Sequence, residues 1–164
     1  MRQYYDQGYI GDFTAGNTSA TMAWSGDDLY NKYWAGYPQL DFIIPEGGAL
    51  QWQDNMMIPV GAANPAGALE LMDWVYKPNI ATAITEWVIY LSPVKGVQDL
   101  IMQDAQAAEA DGSKGYANKL YDTAKSPFAF PDETILSQTK FGTNITSDSQ
   151  LEEYNNIFLP ISQG

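Results

Sequence analysis

The chain has 164 residues, with 8 basic against 20 acidic side chains and a formal net charge of −12. Apolar residues make up 45% and charged residues 17%, a balance typical of one globular domain or part of a larger one. Because histidine and cysteine are both absent, the composition excludes Ser-His-Asp triads, cysteine nucleophiles, imidazole or thiolate zinc sites and iron–sulfur clusters. The excess of acid argues against a nucleic-acid partner, since phosphate binding needs clustered Lys and Arg, and it favours a cationic partner.

The first part of the chain is predicted to alternate short strands with one helix. Residues 1–12 have the pattern of the end of a polar, aromatic helix. Alternation predicts a strand over 18–24, and Ser25-Gly-Asp-Asp28 then supplies a turn and an N-cap for a helix through about Trp34. The apolar runs over 40–45 and 49–60 predict two further strands.

The rest of the chain is predicted to be mainly helical. Asn64-Pro65 is a helix start, and three- and four-residue apolar spacing continues to Tyr76, followed by a second helix over 79–89. The predicted apolar faces are Ala68, Leu69, Met72, Val75 and Tyr76, and Ile80, Ala83, Ile84, Trp87 and Val88. The pair is expected to pack as a hairpin on the sheet. Further helices are predicted over 95–110, 116–124 and 148–158. This order of elements predicts an α/β fold.

Trp24, Trp52, Asp54 and Tyr90 are candidate ligand-binding residues, because each lies at the end of a predicted strand or helix. Ligand crevices lie at strand ends in open α/β sheets. A carboxylate replaces the water around an ammonium group, while aromatic faces attract its charge and cover methylenes. The residues therefore predict a site for a cationic ligand with an aliphatic chain. Their alternative interpretation is that the two tryptophans are core anchors and Asp54 is a strand-end cap.

An ordered series of motifs from about Thr18 to Pro93 resembles the polyamine-binding periplasmic proteins, the spermidine/putrescine receptors of ABC importers. The motifs are Met22-Ala-Trp-Ser-Gly26, Phe42-Ile-Ile-Pro-Glu-Gly-Gly48, Gln51-Trp-Gln-Asp54, Ile58-Pro59, the run from Asn64 to Trp74, and Lys77-Pro78. The resemblance implies a periplasmic-binding-protein-like α/β fold of type II, with two lobes joined by crossing strands. It implies that only the later part of that fold is present here.

Carried over residue by residue, the resemblance implies that Trp24, Trp52 and Asp54 face the polyamine and that Asp54 pairs with an ammonium group. Tyr90 matches a family tyrosine of the same pocket, although the family's Pro-Thr-Pro pattern after it is only partly kept, as Leu-Ser-Pro. These four residues are the predicted ligand-binding site.

Other acidic residues near the predicted crevice match no ligand position of the family. Asp27, Asp28 and Glu46 are interpreted as solvated loop carboxylates. The family also uses a glutamine near its C-terminus, and the alignment slides between Gln138 and Phe141 there. Neither residue is assigned a role.

The resemblance also implies a setting for the protein. The partners would be a polyamine and a membrane-embedded ABC permease, the location would be periplasmic or extracellular, and no cofactor would be needed. Residues 1–45 are expected to belong to one lobe, 46–91 to the other, and 92–164 to a C-terminal helical and loop segment. We expect the chain to be a fragment of such a receptor, to bind polyamines weakly by itself, and to form a homodimer through unpaired strand edges.

Other functions stay open at this point. The same fold could hold a different amine, a sugar or a metal ion. A carboxylate-pair glycosidase would need two acids at a separation of about 5–10 Å, and no such pair is indicated at the strand ends, so no enzymatic activity is predicted. A structural or assembly module would have no small-molecule pocket. The loop over 111–115 lacks the ligand pattern of an EF-hand, and no metal is assigned.

Overall fold

Eight helices and one two-stranded sheet make up the part of the chain that the structure, a computed structural model, describes: residues 8–142 and 144–162. The helices are α1 (Tyr9–Thr14), α2 (Ser25–Tyr33), α3 (Pro65–Val75), α4 (Pro78–Val88), α5 (Val97–Ala110), α6 (Lys114–Lys125), α7 (Glu133–Ser137) and α8 (Asp148–Ser162). The strands are β1 (Ala49–Gln51) and β2 (Thr139–Phe141), which pair in parallel with Gln51 opposite Phe141. None of the described helices combines the length and hydropathy that a bilayer span requires.

Local sequence signals begin two of the helices. The Asn64 side chain accepts a 3.0 Å hydrogen bond from the backbone N–H of Gly67, and Pro65 occupies the first helical position of α3. Asp132 accepts a 2.9 Å bond from the N–H of Ile135 at the start of α7. The helices predicted over 64–76, 79–89, 95–110, 116–124 and 148–158 are confirmed, with ends shifted by a few residues.

The main core lies between α4, α5 and α6. Its buried members are Ala81, Val97, Ile101, Ala105, Leu120 and Ala124. Trp34 and Phe130 pack against this cluster and also against a second one formed by Leu29, Ile89 and Ala129. The Trp34 indole donates a 3.2 Å hydrogen bond to the hydroxyl of Thr123. Trp34 thus fixes the end of α2 onto the helical core.

Ile89 ends α4 in a left-handed backbone conformation. Its φ of 54° and ψ of 29° lie in the region that β-branched residues avoid, at a cost of about 1–3 kcal/mol. The side chain is fully buried in the cluster with Leu29 and Ala129. This turn directs the chain from α4 back toward α2, where Tyr90 makes its contacts.

The sheet is smaller than the sequence predicts. No strand forms over 18–24 or 40–45, and only Ala49–Gln51 of the predicted strand over 49–60 is paired. A strand needs a neighbour that pairs its N–H and C=O groups, and β2 is the neighbour that the described residues provide. The α/β prediction is therefore met only coarsely, by a helix-dominated fold with one parallel pair. The strand edges behind the homodimer prediction are reduced to two three-residue strands, which give that prediction no support.

The residues predicted to form the packed apolar faces of α3 and α4 are not the ones that the structure buries. No residue of α3 is buried, and Trp87 of α4 is 81% exposed. The buried residues of α4 are Ala81, Thr82 and Thr85, on the side that packs against α5. Both threonine hydroxyls donate to backbone carbonyls one turn earlier, which removes the cost of burying them. Periodicity identifies an apolar face but not the element that covers it.

Candidate functional site

The rings of Trp24 and Trp52 are in contact. Their centroids lie 4.9 Å apart and their planes are inclined by 57°. Trp24 immediately precedes α2 and Trp52 immediately follows β1, so the two rings join separate parts of the chain. Their exposed fractions are 42% and 46%. The pair therefore presents apolar aromatic surface to solvent instead of anchoring the core.

Asp27, in the first turn of α2, accepts hydrogen bonds from two tyrosines. The hydroxyl of Tyr9 donates to Oδ2 at 2.5 Å, and that of Tyr90 donates to Oδ1 at 2.9 Å. The Tyr9 oxygen also accepts a 3.2 Å bond from the backbone N–H of Trp24. Two hydrogen bonds thus connect the carboxylate to the backbone of the tryptophan pair. Within residues 8–142 and 144–162 Asp27 has no ion-pair partner, which leaves its charge available to a cation.

The two phenols remain protonated at neutral pH. Burial, the hydrogen bond to Asp27 and its negative charge raise the pKa of Tyr90 well above its ordinary value. Burial and the same carboxylate raise the pKa of Tyr9. Both hydroxyls therefore stay hydrogen-bond donors and hold Asp27 in one orientation.

Gly26 allows the Tyr90 ring to reach Asp27. A Cβ atom at position 26 would stand 2.3 Å from Cδ2 and Cε2 of Tyr90, far closer than van der Waals contact permits. The ring thus lies directly on the backbone of α2, and only glycine leaves room for it. This contact gives a physical reason for glycine in the Trp24-Ser-Gly26 stretch.

Asp54 lies on the irregular segment that follows β1. Its side chain is exposed and has no hydrogen-bond or ion-pair partner in the described part of the chain. Because β1 ends at Gln51, the strand geometry that would place Asp54 on the same side as Trp52 does not extend to it. The structure brings Trp24 and Trp52 together and Tyr90 to Asp27, whereas no hydrogen bond or ion pair of the described residues joins Asp54 to any of them.

Two of the three acids interpreted as solvated loop carboxylates are instead structured. Asp27 is partly buried under the tyrosines, and Asp28 is only 6% exposed; Glu46 is exposed on a turn. The interpretation was wrong because α2 begins at Ser25, so Asp27 and Asp28 belong to its first turn and not to a preceding loop. The sequence predicts a turn over Ser25-Gly-Asp-Asp28 before the helix, whereas these residues form the first turn of α2.

Tyr9 and β2 were also missed. Tyr9 reaches Asp27 across 18 residues, and no local pattern indicates such a contact. The backbone carbonyl of Gln138 accepts a 3.0 Å bond from the N–H of Ala49, and β2 then places Phe141 beside Gln51. The segment in which a family glutamine could not be assigned thus lies next to the strand that leads to Trp52.

Known proteins resemble this chain over most of its length. The model of a family described as bacterial extracellular solute-binding protein matches residues 2–113. The spermidine/putrescine-binding periplasmic protein of Salmonella typhimurium is 29% identical over 143 residues, which are 87% of this chain and 35% of that protein. The putrescine-binding periplasmic protein SpuD of Pseudomonas aeruginosa is 32% identical over 151 residues, 88% of this chain and 40% of that protein.

A third relative, the putrescine-binding periplasmic protein PotF of Escherichia coli, is 23% identical over 110 residues, 65% of this chain and 30% of that protein. The chain therefore spans less than half the length of these relatives. No solved structure matches it.

Proposed function

The chain belongs to the bacterial extracellular solute-binding protein family, and we propose that it is part of a polyamine receptor that serves an ABC importer outside the cytoplasm. The relatives described above are named as spermidine- or putrescine-binding proteins, which supports this ligand class. The observation that carries the proposal is the solvent-open Trp24–Trp52 pair, whose Trp24 backbone is linked through the Tyr9 hydroxyl to the carboxylate of Asp27.

The proposed mechanism assigns each part of this arrangement a role. An ionised carboxylate has about four lone-pair positions, and two tyrosine bonds leave the others for an ammonium group. The indoles of Trp24 and Trp52 would cover the methylenes and attract the charge, at about 0.5–2 kcal/mol per well-placed ring. Tyr90 would orient Asp27, and the exposed carboxylate of Asp54 would meet a second ammonium group.

Ligand capture by lobe closure is the dynamic part of the proposal. We assign residues 1–45 and 46–91 to the two lobes, so that Trp24 and Trp52 belong to different lobes. A ligand held between them would stabilise the closed arrangement, which the permease would recognise. Under this assignment the contact between the two rings, at 4.9 Å, would lie across the boundary between the lobes.

Titration with putrescine, observed through the indole N–H resonances of the tryptophans, tests the proposal. Millimolar affinity corresponds to about −4.1 kcal/mol, so putrescine at about 10 mM should shift the resonances of Trp24 and Trp52. The resonance of Trp87, which is 81% exposed and carries no proposed role, is the internal control. The uncharged diol 1,4-butanediol should leave all three unchanged. Equal shifts with diamine and diol, or none with putrescine, would contradict the proposal.

Two variants test whether Asp27 supplies the negative charge that binds putrescine in that titration. Asp27→Asn keeps the size of the side chain and should weaken putrescine binding at least about tenfold, or 1.4 kcal/mol. Asp99→Asn, at an exposed position in the first turn of α5, is the matched control and should leave it unchanged. An equal loss in both variants would show that net charge alone attracts the diamine.

A further inference from the structure

Trp52 lies at the point where regular structure stops. It follows Gln51, the last residue of β1, and residues 52–59 form neither helix nor strand. Its ring nevertheless contacts that of Trp24, with centroids 4.9 Å apart. Because irregular segments are more mobile than the elements they connect, the end of β1 is the nearest regular structure that can direct this ring. The groups that hold Gln51 are therefore candidates for positioning the tryptophan pair.

The start of β1 is held against the residue that precedes β2. The N–H of Ala49 donates a 3.0 Å hydrogen bond to the backbone carbonyl of Gln138. Gly48 has a positive φ of 86°, and a Cβ atom at this position would stand 2.8 Å from the same carbonyl oxygen. Glycine therefore allows the close approach of the two segments. The resulting register places Thr139 opposite Ala49 and Phe141 opposite Gln51.

A side-chain contact holds the other end of β1. The hydroxyl of Thr139 donates a 2.9 Å hydrogen bond to the backbone carbonyl of Leu136 and lies 3.2 Å from Oε1 of Gln51, so that the two oxygens can share its proton. Leu136 belongs to α7, which packs against β2 and whose first turn is capped by Asp132. Thr139 thus joins the side chain of Gln51 to a helix that has its own local start signal.

This contact matters because the sheet is small. A two-stranded sheet with three residues in each strand is marginal by itself. The Thr139 hydroxyl adds a diagonal side-chain bond to the backbone pairing, at the end of β1 from which Trp52 follows. Its loss would release the residue to which Trp52 is bonded.

We propose that Thr139 is a positioning residue for the tryptophan pair. Its hydroxyl fixes Gln51, and Gln51 sets the direction in which the chain continues to Trp52, so that the two indoles stay in contact. Thr139 touches no ligand in this role. The effect on polyamine binding rests on the proposed function, whereas the effect on the contact between the rings does not.

Circular dichroism of Thr139 variants tests the proposal without a ligand. Two coupled indoles give a paired positive and negative band in the far ultraviolet, and its amplitude depends on their separation and angle. Thr139→Val keeps the shape of the side chain and should lower the amplitude, whereas Thr139→Ser restores the hydroxyl and should retain it. Thr82→Val, which removes a hydroxyl that donates to the Pro78 carbonyl within α4, is the matched control and should leave the band unchanged.

The spectra are compared at a temperature at which every variant is folded, as its thermal unfolding curve shows. A band that Thr139→Val leaves intact would overturn the proposal, and so would an equal reduction in Thr82→Val. An unchanged chain that lacks the paired band would also overturn it, since the rings would then be apart.

Gln51→Met tests the same contact from the other strand and decides the matter should Thr139→Val fail to fold. Methionine keeps the length of the side chain but removes the amide, so the band should weaken. Gln106→Met, at an exposed position of α5, is the control and should have no effect. The double variant of positions 51 and 139 should lose no more amplitude than either single variant, because both remove one contact. Additive losses, or a band unchanged in Gln51→Met, would contradict the proposed role.

Putrescine titration of the same variants separates this proposal from the proposed function. Thr139→Val should weaken binding about two- to tenfold, the factor that one hydrogen bond contributes, and Thr139→Ser should restore it. A band that depends on Thr139 in a chain that binds no putrescine would support the positioning role and contradict the polyamine function. Unchanged putrescine binding together with an unchanged band in Thr139→Val would overturn the positioning role alone.

Discussion

The hydroxyl of Tyr90 donates a 2.9 Å hydrogen bond to Oδ1 of Asp27, a residue 63 positions earlier in the chain. This bond connects the segment after α4 with the first turn of α2. It also presents the ring of Tyr90 to Gly26 and fixes the carboxylate beside the backbone of Trp24. The candidate site therefore depends on one long-range contact.

Tyr90→Phe removes this hydrogen bond and keeps the ring. Because the bond is partly buried and its acceptor is charged, we expect the free energy of unfolding to fall by about 1–2 kcal/mol. Urea denaturation followed by far-ultraviolet circular dichroism measures the loss. Tyr76→Phe, at a side chain that is 55% exposed, should change stability by less than about 0.5 kcal/mol. Equal effects of the two substitutions would contradict the role assigned to Tyr90.

Gly26→Ala places a methyl group 2.3 Å from Cδ2 and Cε2 of Tyr90, where it clashes with the ring. We expect a destabilisation of about 1–3 kcal/mol from overpacking. The double variant Gly26→Ala with Tyr90→Ala should lose less stability than the sum of the two single changes, because the clash is gone. Gly115→Ala in α6, where nothing lies within 4 Å of the added atom, is the control and should not destabilise. Strict additivity in the double variant would rule out the contact.

The tryptophan pair predicts a spectroscopic signature. Two indoles with centroids 4.9 Å apart and planes inclined by 57° couple their electronic transitions, which produces a paired positive and negative band in far-ultraviolet circular dichroism. Trp24→Phe and Trp52→Phe should each abolish the paired band. Trp87→Phe, which changes a ring that is 81% exposed, should leave it intact. A spectrum that none of the three substitutions alters would place the two rings apart.

The raised pKa of Glu86 predicts that the stability of the fold decreases as pH rises. Burial and the nearby carboxylate of Asp104 raise the pKa of Glu86 from its ordinary 4.5 to about 7, and the carboxyl oxygen Oε1 is buried without a partner in the described residues. Between these two values the folded state holds a proton that the unfolded chain has lost, so the free energy of unfolding decreases with increasing pH. Burial, and after it the charges of Glu86 and Asp104, also raise the pKa of Tyr116.

Glu86→Gln is the test of that pH dependence. The variant should show a flatter change of Tm between about pH 5 and 8 than the unchanged chain, because it has no proton to lose over this range. Glu70→Gln, on the exposed side of α3, should keep the slope of the unchanged chain. The opposite result, a parallel fall in Glu86→Gln, would assign the pH dependence to other groups.

Helices were predictable from this sequence because their signals are local. Asn64 and Pro65 together specify the start of α3, and the structure confirms the cap. Asp132 carries an equally local signal for α7, which was overlooked. The predictions of strands over 18–24 and 40–45 were wrong for a different reason. Strand pairing depends on a second segment, which a run of apolar residues does not specify.

The candidate site shows the same difference between residues that local motifs identify and residues that only long-range contacts identify. The resemblance to polyamine receptors selected Trp24 and Trp52, which the structure brings into contact, although their role toward a ligand stays a prediction. Asp27 was missed because its importance arises from Tyr9 and Tyr90, which approach it from distant parts of the chain. Tertiary hydrogen bonds of this kind leave no periodic trace in a sequence.

The left-handed backbone at Ile89 restricts how this region can change. Glycine or asparagine would relax the turn, but either would leave a void between Leu29 and Ala129. No single substitution can both ease the backbone and keep that interior filled. Redesign of the neighbouring tyrosine region would therefore have to alter position 89 together with its buried neighbours.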